Sequence, residues 1–317
     1  MTSKLNTSSD SSLINRITTR LVRSNWCSPQ VQVLMYNNFD YTTSSILLFL
    51  FCEYKKKPDV VVKLCQKKYI IEKEFDNLVA INNSLPGLSP VPLFRENFDE
   101  FGVLGMKSVS GKSIVSWQER IASLPEIVDR LIKFHHCMQN GVLDQAQLSE
   151  RFQKINKLCE ELTLSRECVE NLITANATLK QYFLPEIPQH CDLCFNNILK
   201  DNASIFFLDW EDFGNVSMPA YDLFCLISSF CFSGQSESVN RFFKDTVLVE
   251  NIRQCIRKYF DAFGLSLNAA YELFIYTLFE QLTLSHNQGR TSKELFLKRL
   301  VKFTKHSQCF RQLLRGL

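Results

Sequence analysis

The sequence predicts an α+β protein of two lobes, a small N-terminal antiparallel-sheet lobe with one helix and a larger, mainly helical C-terminal lobe. Strand-like apolar runs crowd the first third of the 317 residues, and helical spacing dominates almost everything after Gly111. Hydrophobic residues make up 45% of the chain and aromatics 12%, with 26 Phe and only 10 Gly, which provides for a substantial core and argues against a loop-dominated protein.

The elements follow in order. Residues 1–10 are polar and Ser/Thr-rich, and "SLINRITTRLV" then reads as a short helix capped by Ser11 or Ser12. This sets apart an N-terminal polar segment and short helix, 1–25. "VQVLMY", 31–36, alternates as a strand does. "SILLFLFCEY", 45–54, reads as a buried strand, "KKKPD", 55–59, as a turn, and "VVVKLC", 60–65, as the returning strand of an antiparallel hairpin. In residues 69–85, Ile70, Ile71, Phe75, Leu78, Val79 and Ile81 carry helical spacing. "PVPLF" and "FGVLGMKSV" add two more strands. The junction near Met106–Gly111 reads as a hinge, dividing an N-terminal lobe, 26–109, from a C-terminal lobe, 110–317. In the second lobe "SIVSWQERIASL", "PEIVDRLIKFHHCM" and the stretches from 145 to 182 are helical. Residues 189–209 read as loop, short strand, turn and strand, and from Pro219 onward the chain is helical again.

Composition narrows the function. A formal net charge of +3 is too small to imply nucleic-acid binding. The longest compact apolar run, Ile46–Cys52, is far shorter than the roughly 20 residues that span a bilayer, so no transmembrane segment is expected. Twelve cysteines are scattered along the chain, several inside apolar runs, and the N-terminus has no apolar signal-peptide region. Reduced thiols and a cytoplasmic location are the expectation.

The chemistry is concentrated in "HCDLCFNNIL", 190–199, and "FFLDWEDFG", 206–214. One reading is a metal or redox site built on His190, Cys191 and Cys194. Structural zinc commonly wants two short-spaced ligand pairs, and no second pair follows. The other reading is phosphoryl transfer. That reaction needs a carboxylate to accept the proton of the attacking hydroxyl and hard oxygen ligands to hold Mg²⁺ against the phosphates. Asp192 suits the first task, and Asn197 and Asp209 the second. The chemistry also demands a strand lysine at the phosphates and a helix glutamate to hold it. Lys63 stands in "VVVK", and the next helix offers Glu72 and Glu74, with Glu74 able to face back toward the sheet.

These residues resemble the aminoglycoside phosphotransferase and choline kinase superfamily, whose signature is His-Gly-Asp-x-x-x-x-Asn-hydrophobic-Leu and then a strand ending Asp-Trp-Glu. "PAYDLF", 219–224, is similar to the Pro-x-x-Asp-Leu segment that follows in that family. "GVLGMKSVSGKSI" resembles its hinge strand, and "LIKFHHCM" its helix ending in His. The likeness spans roughly residues 30 to 235. It implies a protein-kinase-like two-lobe fold and an ATP- and Mg²⁺-dependent phosphotransferase acting on a hydroxyl of a small molecule such as an aminoglycoside, choline or ethanolamine, or a sugar. It implies a catalytic loop, 189–199, and a metal-binding strand end, 205–212. Asp192 is then the catalytic base, Asn197 and Asp209 are the Mg²⁺ ligands, and Lys63 binds the α- and β-phosphates with Glu74 as its ion-pair partner. The nucleotide loop falls on 37–45, where Thr42, Thr43 and Ser44 contact phosphate. His190 and Asp222 brace the catalytic loop, and His135 or His136 packs.

The departures are specific. Cys191 stands where the family has Gly, and the nucleotide loop "NNFDYTTSS" has no glycine. They keep open an alternative, a catalytically weak relative with a nucleotide- or partner-binding regulatory role. No Ala-Pro-Glu follows Asp209, which sets the chain apart from protein kinases. Glu211 and Asp212 offer local negative charge or a solvated turn. Residues 286–317 carry eight Lys/Arg against Glu294, hence +7, read first as a solvated helix face and alternatively as an approach for an anionic partner such as a phosphosugar, a lipid headgroup or RNA. The sequence does not reveal the oligomeric state.

Overall fold

The computed structural model describes residues 9–315 apart from 27, 29, 39–44, 54, 99, 202–203, 233–237 and 288–292. The chain divides into two compact units, Met1–Gly111 and Lys112–Leu317.

The first unit is built on a five-stranded antiparallel sheet in the order β1-β2-β3-β5-β4. Its strands are β1 (Val31–Asn38), β2 (Ser45–Cys52), β3 (Val60–Cys65), β4 (Pro92–Phe98) and β5 (Phe101–Lys107). Helix α1 (Ser9–Arg23) precedes the sheet, and α2 (Lys68–Ser84) connects β3 to the edge strand β4. The continuous apolar run in β2 is used on both faces, because side chains alternate along a strand. Leu48, Leu50 and Cys52 join Val60, Val62, Leu64, Phe94 and Val103 in a core closed by Ile17 and Leu21 of α1. Asp59 ties the turn before β3, its Oδ2 accepting from the Cys52 N–H at 3.0 Å and its Oδ1 pairing with Lys55 Nζ at 2.9 Å.

The opposite sheet face carries two rows set by register. Tyr36, Leu47, Lys63, Leu104 and Arg95 form one row, and Leu34, Phe49, Val61 and Met106 the next. Helix α2 lies on this face, since Lys63 and Arg95 both reach its side chains. Leu34 and Tyr36 remain more than half exposed.

Gly105 has a steric reason. A β-carbon there would lie 1.9 Å from Cε1 of Phe94, whose ring stacks on Trp26 at 5.0 Å. Gly105→Ala is expected to cost about 1–3 kcal/mol, the usual range for an overpacked core, read as a lower urea midpoint with an unchanged slope.

The second unit is helical around a three-stranded sheet of β6 (Lys112–Ser113), β7 (Ile198–Lys200) and β8 (Ile205–Phe207). The stretches on either side of Pro125 form one helix, α3 (Trp117–Met138), opened by a capping box between Ser116 and Glu119. Ser113–Val115, expected as helix, are not helical; Ser113 instead pairs with Leu199 in the small sheet. Then come α4 (Gln145–Glu161), α5 (Arg166–Leu179), α6 (Tyr221–Cys231), α7 (Ser238–Lys244), α8 (Thr246–Ala262), α9 (Ala270–Asn287), α10 (Lys293–Lys305) and α11 (Ser307–Arg315). Helix α9 is buried nearly all round because α4, α5, α6, α10 and α11 surround it. Among the described residues no single helix is long and apolar enough to cross a membrane.

Ten described cysteines are free thiols. Cys52 departs from the expectation of reduced thiols throughout. It is disulfide-bonded.

Candidate active site

In the first unit the ammonium of Lys63 meets the carboxylate of Glu74 at 2.8 Å, with both side chains less than a tenth exposed. The helix explains the choice between the two glutamates. Ile71, Glu74, Leu78 and Ile81 form the buried stripe of α2, whereas Glu72 is exposed. A charged residue on an otherwise apolar stripe is costly unless paired, and Lys63 at the sheet centre supplies the pair. Thr42, Thr43 and Ser44 lie outside the described residues; the strands flanking them are in register, Asn38 opposite Ser45.

In the second unit the loop from Gln189 to Asn197 is held from several sides. The carboxylate of Asp222, at the start of α6, accepts three hydrogen bonds. The His190 N–H reaches Oδ2 at 2.6 Å, the Cys191 N–H reaches Oδ1 at 3.0 Å, and His135 Nε2 lies 3.2 Å from Oδ2. Gln189 closes the arrangement, its Oε1 accepting from the Asp222 N–H at 2.9 Å and its Nε2 donating to the Ile187 carbonyl at 2.8 Å.

The protons on both buried histidines can be assigned from their partners. The Asp192 N–H donates to His190 Nδ1 at 3.3 Å, so the ring proton sits on Nε2 and is donated to the Leu208 carbonyl at 2.8 Å. His190 thus links the Asp192 loop to the end of β8, and its ring packs 4.4 Å from Trp210. Tyr259 OH accepts from the Ala220 N–H and donates to His135 Nδ1 at 2.7 Å, leaving Nε2–H for Asp222. Burial lowers the pKa of His135 against the opposing pull of Asp222, and the ring is neutral. His135 therefore does more than pack, while its neighbour His136 is exposed.

Asn197 donates from Nδ2 to the Asp192 backbone carbonyl at 2.9 Å and to Asp192 Oδ2 at 3.0 Å. Its Oδ1 takes part in neither bond. The β7–β8 register pairs Ile198 with Phe207, and the Leu208 N–H donates to the Asn197 carbonyl at 2.9 Å. Asp209 follows one residue later. Asn197 and Asp209 thus come from the two chains at one end of a hairpin, both half-buried, while Asp192 is exposed. Two hard oxygen donors at one hairpin end are the donor set magnesium takes, with phosphate and water completing its shell.

Three non-glycine residues here have left-handed backbones: Cys191 (φ 74°), Asp209 (φ 63°) and Ala220 (φ 62°). Each such residue costs on the order of 1 kcal/mol and persists only when its surroundings over-determine it. Asp222 fixes the Cys191 N–H, and Tyr259 fixes that of Ala220. Cys191 therefore takes up the turn that glycine would take, with its thiol buried and donating to the Gln189 carbonyl at 3.3 Å.

The Cys/His stretch does not present a metal-ligand set. Both nitrogens of His190 are engaged. Burial pushes the Cys191 thiol well above its ordinary range and that of Cys194 up to about 12, so neither is a thiolate near neutral pH. Asp212 is buried, its Oδ1 accepting from Asn215 Nδ2 at 3.1 Å, and is not part of a solvated turn. Sequence reasoning missed Gln189 and Tyr259. Their partners lie far away in the chain, and only the polar Gln189 between apolar Ile187 and the signature hinted at a role.

A family model described as the phosphotransferase enzyme family matches residues 51–255. The structure is similar to a choline/ethanolamine kinase family protein from Mesorhizobium loti, at 14% identity and a TM-score of 0.61, covering 96% of this chain and 98% of that one. It is similar to a thermostable aminoglycoside phosphotransferase variant in ternary complex with ADP and hygromycin B, at 10% identity and a TM-score of 0.54, covering 94% and 97%. An ethanolamine kinase from Plasmodium vivax is similar at 13% identity and a TM-score of 0.58, covering 96% and 91%. No curated protein matches the chain in sequence. Identities this low speak for the protein-kinase-like fold alone.

Proposed function

The chain belongs to the phosphotransferase enzyme family, and from that membership we propose that it transfers the γ-phosphoryl group of ATP, with Mg²⁺, to a hydroxyl of a small molecule. Aminoglycosides, choline or ethanolamine, and sugars represent the acceptor classes. The observation that carries this reading is the Asn197 amide holding the Asp192 carboxylate at 3.0 Å while the β7–β8 hairpin brings Asp209 to the same end. The ADP and hygromycin B held by the similar aminoglycoside phosphotransferase support a nucleotide and a hydroxylated acceptor here.

Each residue then has a task. Asp192 orients the acceptor hydroxyl and takes its proton as the oxygen attacks. Asn197, by gripping Asp192, limits the rotamers of that carboxylate, and its Oδ1 together with the Asp209 carboxylate would hold the ion. Magnesium, when bound, offsets the negative charge on the phosphates. Lys63 binds the α- and β-phosphates, and Glu74 keeps its ammonium fixed on the sheet. The Leu34, Phe49, Val61 and Met106 row gives the adenine of ATP an apolar platform, and Thr42, Thr43 and Ser44 contact the phosphates.

Thermal unfolding tests the nucleotide half. Mg-ATP at about 100 times its dissociation constant is expected to stabilise the protein by about 2.7 kcal/mol. The gain should shrink without Mg²⁺ and in Asp209→Ala. No stabilisation by millimolar Mg-ATP would overturn the reading.

A further inference from the structure

Arg299, on the inner side of α10, is not part of a solvated basic face. Its guanidinium lies 4.6 Å over the Phe296 ring, and Nη1 lies 3.5 Å from Gln281 Oε1, at the limit of a hydrogen bond. Gln281 in turn donates to Cys225 Sγ at 3.0 Å, on α6 beside the candidate loop. The Nε–H of Arg299 is buried with no hydrogen-bond partner, and among the described residues the side chain forms no ion pair. Burial lowers its pKa, and the groups whose charge it senses are Cys225, Asp192, Cys194 and Tyr221. Burial pushes the two thiols and the phenol up, so at neutral pH they carry no charge. Of these four groups Asp192 is the carboxylate.

A guanidinium has five donors in a fixed fork and stays charged, so burying it under-bonded is unfavourable unless an anion completes it. The fork matches a carboxylate or a phosphate bidentately. An internal partner of that kind is missing among the described residues, whereas the loop bearing Asp192 is within electrostatic range. If Asp192 receives the acceptor hydroxyl, as proposed above, the acceptor's other end is what meets the guanidinium.

We propose that Arg299 makes the acceptor site of the helical unit selective for a hydroxyl compound that carries an acidic group, a carboxylate or a phosphate. This rests on the assignment of Asp192 as the acceptor-facing base. It points away from choline and the aminoglycosides, whose cationic groups Arg299 repels.

Four small alcohols separate the possibilities: glycerol, choline, glycerate and glycerol 3-phosphate. Each is measured at millimolar concentration for thermal stabilisation in the presence of Mg-ADP, and separately for ADP release from Mg-ATP. Wild type, Arg299→Gln and Arg299→Lys are compared. Glycerate or glycerol 3-phosphate is expected to stabilise the wild type more than choline or glycerol does, and which of the two prevails distinguishes a carboxylate from a phosphate. Arg299→Gln should raise the half-saturating concentration of the acidic compound about 10–100-fold, the range for a lost charged hydrogen bond, and far more than for the other two. Arg299→Lys should retain part of the preference. Stabilisation that depends on Arg299 without ADP release would leave this inference standing and defeat phosphoryl transfer to these acceptors. Release with choline that is indifferent to Arg299 would do the reverse. Binding of neither acidic compound, or an equal weakening of all four in Arg299→Gln, overturns the inference, the latter because Arg299 then acts on Asp192 or the fold and not on the acceptor.

Discussion

Asp192→Ala is expected to lower acceptor-dependent turnover by about 10²–10⁴-fold, the usual contribution of a positioned general base. Nucleotide affinity and the unfolding midpoint should stay near those of the wild type. The separation follows from where Asp192 sits. Its side chain is exposed, and the loop around it is held by backbone bonds from His190 and Cys191 to Asp222, which the substitution leaves in place. The Asp192 carbonyl still accepts from Asn197, and the Asp192 N–H still donates to His190. Asp192→Asn keeps the shape and removes the base, so it should lose nearly as much turnover. A variant with unchanged kcat would remove Asp192 from the chemistry, whereas one that unfolds would assign it to the fold.

Asp222→Ala is expected to have the largest effect on stability, about 3–5 kcal/mol. The loss leaves three donors without an acceptor in a buried place: the N–H groups of His190 and Cys191 and the Nε2–H of His135. Each such orphan costs about 1–3 kcal/mol. Two of them are the bonds that hold Cys191 in its left-handed turn, so turnover should fall together with stability. That coupling distinguishes Asp222 from Asp192. Urea unfolding monitored by circular dichroism gives the loss directly, and one below about 1 kcal/mol, the worth of a single ordinary hydrogen bond, would contradict the clamp.

Much of this was legible from short-range patterns. The hairpin of β2 and β3, α2 and the β7–β8 turn follow from apolar periodicity and turn residues. The family resemblance implies Glu74 as the ion-pair partner of Lys63, and the Ile71, Leu78 and Ile81 stripe explains why it is Glu74 rather than Glu72. What stayed hidden depends on contacts across long stretches of chain. His135 and Asp222 meet across 87 positions and His135 and Tyr259 across 124, and no local pattern announces either bond. The role of Cys191 was hidden for another reason. A β-carbon at a left-handed position reads as an obstacle, and only the Asp222 carboxylate, which fixes its N–H, shows that the turn forms regardless. The basic run at the end of the chain misled because charge counting cannot tell which side of a helix is buried. Arg299 faces inward, and Arg315 pairs with Glu272 at 2.5 Å.

The most direct test of the central claim, phosphoryl transfer from ATP to a hydroxyl, is acceptor-dependent ADP release by the wild-type chain, with the acceptor followed by phosphorus NMR. Cationic, neutral and acidic alcohols should be offered with Mg-ATP. At least one acceptor should yield ADP and a phosphate ester of itself in equal amounts, with both products lost in Asp192→Ala. ADP release that ignores every acceptor, or none at all from protein that binds Mg-ATP, would contradict it.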